Sequence, residues 1–311
     1  MKKIVLLDAK TLGNISELEV LKTLGEFISY DTTPETLLYE RVKDAQIVLT
    51  NKVVFSQEIL EKLPNLELIA VTATGTNIID MECAKKLGIE VKNVAGYSTK
   101  SVAQHTLTLV LNLLSQISYY DNYCKSGAWV KSEIFTHLSQ GLGQIDGKQW
   151  GIIGLGEIGR EVAKLATCFG AKVAYTSISN QPQEVEYSYQ SLEKLLQDSD
   201  IISIHSPLTP KTKNLLNKDT LALLKQDCIL INVGRGGIVN ENDVAEYLKN
   251  KKIYFGTDVL ENEPMQAGHP FLELSTSDRI LITPHIAWAY ENSKKALIQK
   301  VIENIKDFLK S

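Results

Sequence analysis

A chain of 311 residues exceeds what one hydrophobic core usually serves, which predicts two domains. With 44% hydrophobic and 23% charged residues, a net charge of only −4 and no basic cluster, nucleic acid is excluded as an expected partner. No apolar run approaches the roughly 18 residues of a membrane span, and the longest candidate, 106–114, contains Asn112, so no membrane is expected either.

Met1-Lys2-Lys3 leads into an apolar run, Ile4–Leu7, that stops at Asp8 with no small-residue cleavage site beyond it. A first strand fits better than a signal peptide. Further β-branched runs follow at Ala45–Thr50, Leu68–Thr72 and Ile89–Asn93. Helical stretches lie between them at Ser16–Leu24, Glu35–Lys43, Gln57–Lys62 and Met81–Leu87. Two of these end at Gly25 or Gly88, the residue type that can adopt the left-handed cap. Strands separated by such helices predict right-handed crossovers and a parallel sheet.

The pattern then resets. Residues 101–118 read as one long helix, followed by a polar, glycine-bearing stretch from Tyr120 to Lys148. A second strand series occupies Gln149–Ile153, Lys172–Thr176, Ile201–Ile204, Cys228–Asn232, Ile253–Thr257 and Ile280–Thr283. Six strands with helices between them match the doubly wound plan that binds dinucleotides. An amphipathic helix over Tyr290–Leu309 closes the chain, and the residues alone leave open which domain it packs on. The cysteines at 83, 124, 168 and 228 show neither CxxC nor Cys/His clustering, which predicts free thiols in a reducing cytoplasm and no metal site.

Gly154-Leu155-Gly156-Glu157-Ile158-Gly159 follows an apolar strand and opens a helix. The first glycine permits the turn, the second lets backbone approach a pyrophosphate, and the third lets helix pack on strand. The helix N-terminus then offers N–H groups to the phosphates. The second strand of this series ends Tyr175-Thr176-Ser177-Ile178-Ser179-Asn180, with no carboxylate for ribose hydroxyls and no arginine for a 2′-phosphate. NAD is favoured there, and NADP stays open.

Hydride exchange between a carbinol carbon and nicotinamide needs a proton donor, a cation for the substrate carboxylate, and a carboxylate partner for the donor. Three strand-end positions supply them. Arg235 lies in the turn Gly234-Arg235-Gly236-Gly237, His285 follows Thr283-Pro284, and Glu263 precedes Pro264. Taken singly, a strand-end histidine is as often structural as catalytic, and a glutamate before proline is usually a solvated loop residue. Together they carry more weight, because a carboxylate beside an imidazole favours the protonated, donating form. GxSxG, HExxH and GxxxxGK[ST] are all missing from the chain.

In this setting the chain resembles the D-isomer-specific 2-hydroxyacid dehydrogenases over nearly its whole length. The residues that carry the resemblance are the glycine loop, His205-Ser206-Pro207-Leu208-Thr209 with Thr212, Ile231-Asn232-Val233-Gly234-Arg235-Gly236, Asp258-Val259 with Glu263-Pro264, and Pro284-His285. The resemblance implies two doubly wound α/β domains. One is a flavodoxin-like substrate domain of residues 1–98 completed by 287–311, and the other a Rossmann dinucleotide-binding domain of residues 99–286. It implies Arg235 as carboxylate clamp, His285 as acid/base and Glu263 as its partner. Thr74 and Gly75 would offer N–H groups to the substrate. The cofactor would meet Thr176, His205, Pro207, Thr212, Val233, Gly234 and Asp258 as well as the loop. A homodimer built largely on the nucleotide domains is also implied.

Two finer features resemble the glycerate dehydrogenase (hydroxypyruvate reductase) branch: Ala95-Gly96-Tyr97-Ser98-Thr99 leading into Val102-Ala103-Gln104-His105-Thr106, and His285-Ile286-Ala287-Trp288-Ala289. Trp288 would either narrow the pocket for a short substrate or serve as a core or interface residue. The expected reaction is reduction of hydroxypyruvate or glyoxylate. The alternatives are a non-catalytic nicotinamide sensor or a dehydrogenase for D-lactate or 3-phosphoglycerate.

Overall fold

In the computed structural model, which describes residues 1–178, 181–250 and 252–310, the chain divides into two compact units, Met1–Ser98 with Trp288–Ser311, and Thr99–Ala287. The first unit runs β1 (Lys3–Leu6), a 3-10 helix (Ser16–Thr23), β2 (Glu26–Ser29), α1 (Glu35–Val42), β3 (Ile47–Thr50), α2 (Gln57–Leu60), β4 (Leu68–Val71), α3 (Met81–Lys86) and β5 (Glu90–Lys92). Its strands form one parallel sheet in the order β2-β1-β3-β4-β5, the flavodoxin-like order.

Successive residues of these strands bury on opposite faces, as a pleated sheet covered on both sides requires. Val5, Val48 and Ile69 face one core, while Ile4, Leu6, Ile47, Leu49 and Leu68 face the other. The second core also takes Leu297, Ile298, Val301, Ile302 and Ile305, so the closing helix packs on this first sheet. Burial of five aliphatic side chains at helical spacing contributes on the order of 10 kcal/mol before conformational entropy is charged against it.

The second unit contains α4 (Thr99–Ser115), α5 (Ile117–Lys125), β6 (Gln149–Ile153), α6 (Glu157–Cys168), β7 (Lys172–Thr176), β8 (Ser188–Tyr189), α7 (Leu192–Asp198), β9 (Ile201–Ile204), α8 (Lys218–Leu221), β10 (Cys228–Asn232), α9 (Glu241–Lys249), β11 (Ile253–Thr257) and β12 (Ile280–Ile282). The chain then closes with α10 (Glu291–Lys310) in the first unit. The second sheet is parallel throughout, ordered β12-β11-β10-β9-β6-β7-β8. This is the doubly wound nucleotide-binding order with one strand added, and it reverses between β6 and β9. One face packs on α4 and α6, and the other carries α7, α8 and α9.

Three expectations need correction. The sequence pattern does not announce β2 and β8; both are edge strands, and neither is fully buried. The expected long helix over 101–118 is two helices, broken at Gln116, which takes φ 52. Its buried side chain explains the stop, because Gln116 Nε2 donates to the Leu113 carbonyl at 2.6 Å while Gly143 N takes that of Leu114 at 2.8 Å. The helical reading of Ser16–Leu24 also becomes a tighter 3-10 helix. Among the described residues no helix is long and apolar enough to cross a membrane.

Candidate active site

The glycine loop sits where the strand order reverses. Gly154 leaves β6 with φ 97, its N–H bonded to the Thr176 carbonyl at 3.0 Å, and a side chain there would collide with Ser206. Gly159 is equally constrained, since a Cβ would run into the Gly154 carbonyl. Gly156 differs from both: a Cβ added there meets no atom of the described residues within 4 Å, and its φ of −77° suits any residue. Packing therefore does not require glycine at 156, whereas close approach of a pyrophosphate does. The first intrahelical bond of α6 is Arg160 N to Gly156 O at 2.9 Å, so the N–H groups of Glu157, Ile158 and Gly159 precede the helix's own ladder.

Across the reversal, His205 N bonds to the Ile153 carbonyl at 2.8 Å. Both ring nitrogens of His205 are shielded from solvent, without a hydrogen-bond partner among the described residues. Burial pushes this imidazole down to about 3, so it is neutral at ordinary pH. Shielded polar atoms without partners are costly and favour a ligand that satisfies them. Together with Gly156, they make this crest fit a dinucleotide.

His285 and Glu263 are brought together. Nδ1 of His285 lies 2.6 Å from Glu263 Oε2, and the other carboxylate oxygen accepts from Leu260 N at 2.9 Å. Both side chains keep about a third of their surface exposed, at 28% and 33%. The contact assigns the Nδ1 proton to this pair and turns Nε2 toward whatever the ring serves. His285 itself takes φ 55, a left-handed conformation that a non-glycine residue holds only under constraint.

The constraint comes from Asp258. Its backbone carbonyl accepts from His285 N at 2.9 Å, and its buried carboxylate accepts from Ile286 N and Ala287 N, both at 2.8 Å, and from the Thr283 hydroxyl at 2.6 Å. Arg235 is exposed on its turn, with Nη1 donating to the Gly234 carbonyl at 2.8 Å. Asn232 braces that turn, accepting from Gly234 N at 3.1 Å and donating to the Arg235 carbonyl at 3.0 Å.

The remaining expected residues divide by what their side chains already do. Thr212 is fully buried; its hydroxyl donates to the Pro207 carbonyl and accepts from Thr209 N, both at 2.7 Å, so it shapes the loop that presents Pro207. Val233 is buried and Gly234 packs against the Ser206 carbonyl. Thr176 closes β7, buried, and the Ser177 hydroxyl donates to Gln181 O at 3.0 Å within its own loop. Ser179 and Asn180 lie outside the described residues.

In the first unit, Thr74 commits its hydroxyl to the Val94 carbonyl at 3.0 Å and its own carbonyl to Asn93 Nδ2 at 2.6 Å. What the 74–75 segment has to offer is its N–H groups. Trp288 is half-buried and meets Tyr97 edge to face at 6.3 Å.

Sequence reasoning missed Thr283, Asn232 and His105 as parts of this site. His105 Nε2 lies 2.9 Å from Thr283 Oγ1, on the buried face of α4. A signal existed, since position 105 falls three residues after Val102 and four before Leu109, on the helix's apolar stripe.

A model of the NAD binding domain of the D-isomer specific 2-hydroxyacid dehydrogenases matches residues 107–287. The chain is 37% identical to a hydroxypyruvate reductase of Blautia hydrogenotrophica, over 99% of this chain and 97% of that one. It is 35% identical to a glycerate dehydrogenase of Methylorubrum extorquens, over 99% and 96%. Among solved structures it resembles an NADPH-dependent glyoxylate/hydroxypyruvate reductase of Sinorhizobium meliloti in complex with NADP and malonate. That match has a TM-score of 0.84 at 26% identity, over 99% of this chain and 93% of that one. With a reversal-point glycine loop and a glutamate-paired histidine already on one sheet, these likenesses place the chain in the D-isomer specific 2-hydroxyacid dehydrogenase family, as a nicotinamide-dependent oxidoreductase.

Proposed function

We propose that this protein reduces a short 2-keto acid, hydroxypyruvate or glyoxylate, to its D-2-hydroxy acid, with NADH the favoured reductant and NADPH the second. The observation that carries the reading is the 2.6 Å contact between His285 Nδ1 and Glu263 at the carboxyl end of a parallel sheet. Bound reduced nicotinamide supplies a hydride to the carbonyl carbon. His285 delivers the proton to the carbonyl oxygen from Nε2, while Glu263 holds Nδ1 and so fixes the ring's tautomer and tilt. Arg235, always charged and forked, takes the substrate carboxylate, and within the first unit the N–H groups of Thr74 and Gly75 are those that suit a carboxylate. Trp288, braced by Tyr97, limits substrate length.

Gly154, Gly156, Glu157, Ile158 and Gly159 would hold the pyrophosphate, and Thr176 the ribose. His205, Pro207, Val233, Gly234, Arg235, Asp258 and His285 would complete the cofactor's surroundings, with Thr212 acting through the Pro207 loop that its buried hydroxyl holds. The Blautia and Sinorhizobium proteins support the substrate, and the latter's bound NADP supports the second cofactor.

The protein acts as a cytoplasmic homodimer in this reading. Residues 126–143 support the dimer: Val130, Phe135 and Leu138 are 89%, 86% and 75% exposed, an apolar surface that a second copy would cover. Four unpaired cysteines, two of them buried, suit a reducing compartment.

A keto-acid panel run with NADH and NADPH in parallel tests the reading. Hydroxypyruvate and glyoxylate should give the highest kcat/KM, and His285→Ala should lose kcat by orders of magnitude with cofactor affinity kept. Higher kcat/KM for pyruvate or a bulky keto acid would overturn the substrate assignment, and near-normal turnover in His285→Ala the mechanism.

A further inference from the structure

We propose that His105, acting through Thr283 and Asp258, is a positioning residue for His285. The proposal rests on the reading of His285 as proton donor. His105 is 4% exposed on α4, and its Nε2 lies 2.9 Å from Thr283 Oγ1. The distance from Nε2 to Asp258 Oδ1 is 3.7 Å, too long for a direct hydrogen bond, so coupling runs through the hydroxyl.

The directions follow from proton inventory. A hydroxyl has one proton and an ionised carboxylate has none. Thr283 Oγ1, 2.6 Å from Asp258 Oδ1, therefore donates to Asp258 and accepts from His105, whose Nε2 carries a proton. The chain His105 to Thr283 to Asp258 is thus polarised in one direction, ending on the carboxylate that holds Ile286 N and Ala287 N. Those two N–H groups follow directly on the φ 55 residue. Fixing the carboxylate fixes the 285–287 backbone, and with it the direction in which the imidazole leaves the chain. Burial holds the His105 ring below the ordinary imidazole range, against the pull of Asp258, which keeps it a neutral donor. Packing alone does not call for histidine here, since its neighbours on the stripe, Val102, Leu109 and Val110, are apolar.

His105→Leu and Thr283→Val remove the donor and the bridge, whereas His105→Gln and Thr283→Ser keep an N–H and a hydroxyl. The first two substitutions are expected to lower kcat about ten-fold, leave NADH Kd unchanged, and raise the primary isotope effect with deuterated NADH as chemistry becomes limiting. The two conservative substitutions should recover most of kcat. Equal losses in His105→Gln and His105→Leu, or an unchanged isotope effect in His105→Leu, would overturn the proposal.

A second measurement does not depend on turnover. With five histidines in the chain, imidazole 15N spectra of the labelled wild-type protein can assign each ring. A protonated Nε2 on His105 supports the chain, and an unprotonated one sinks it. Failure to turn over any keto acid would instead count against the role given to His285.

Discussion

Asp8, just past β1, and Asp258, just past β11, occupy matching places on the two sheets. Each is buried, and each reaches to the segment that follows a neighbouring strand. Asp8 accepts from Asn51 N and Lys52 N, at 2.9 and 2.7 Å, and from the Thr50 hydroxyl at 3.2 Å. Asp258 accepts from two consecutive N–H groups and a threonine hydroxyl past β12 in the same way. The clamp itself is a device for tying strand ends. What distinguishes the second sheet is its cargo, since the clamped segment carries His285 in a left-handed conformation and Glu263 meets its ring. Beyond that cargo, His105 extends the second clamp inward.

Removing each clamp should have very unequal effects on catalysis. Asp258→Ala strips three donors of their acceptor and should lower kcat at least about 100-fold, with about 3 kcal/mol of stability lost. Asp8→Ala should lose roughly 2 kcal/mol in urea unfolding while kcat stays within about three-fold. If Asp8→Ala lost catalysis as heavily as Asp258→Ala, cargo would not be what separates the sheets. Next in size, Glu263→Gln keeps an acceptor for Leu260 N but removes the charge beside Nδ1. A drop in kcat of roughly 10- to 100-fold is expected with NADH Kd unaltered, read by steady-state kinetics and fluorescence titration.

Most of the architecture was legible because short, continuously apolar strand runs and βα alternation are written in residue type. Val5, Val48 and Ile69 announce themselves, whereas β2 and β8 are short edge strands whose half-exposed residues carry little pattern. The Gln116 break left no trace because its signal is a side-chain amide capping Leu113, which is visible only once the fold is known. Arg235, Glu263 and His285 were legible as strand-end residues. The reach of Asp258 to 286–287 and the link from Thr283 to His105 were not, because they depend on which strands are neighbours. Beside Thr176, expected at the cofactor, Ser177 turns its hydroxyl onto Gln181, a local contact that residue type does not announce.

The glycine loop has no counterpart on the first sheet, and Gly156→Ala isolates what it adds. With open space around the added methyl and an ordinary φ, folding should be unaffected and Tm unchanged. NADH Kd should rise about ten-fold, because the methyl occupies the approach of the pyrophosphate. Gly159→Ala should instead lower Tm, since its methyl meets the Gly154 carbonyl. A Gly156→Ala protein with normal NADH Kd would show that no phosphate comes close to that backbone.

Acid should separate the two units by a smaller margin, because their buried titrating groups have opposite signs. His205, in the second unit, is held by burial at about 3, below its ordinary 6.5. A depressed folded-state value means that the unfolded chain binds the proton first. The contribution is therefore present above pH 6.5 and is lost as pH falls toward 3, by about 1.4 kcal/mol per pH unit at most. Asp8, in the first unit, is raised above its ordinary 3.8 by burial. Its contribution is fully present below 3.8 and is lost as pH rises through the folded-state value, so acidification helps that unit. Lowering the pH from 7 to about 5 should then cost residues 99–287 roughly 1–2 kcal/mol of protection against hydrogen exchange, with residues 1–98 little changed. His205→Met, which cannot titrate, should make the second unit's profile shallower, leaving the share that His105 contributes in the same direction. Equal losses in both units, or a His205→Met profile as steep as that of the unaltered protein, would move the source of acid sensitivity away from the crest that His205 shares with the glycine loop.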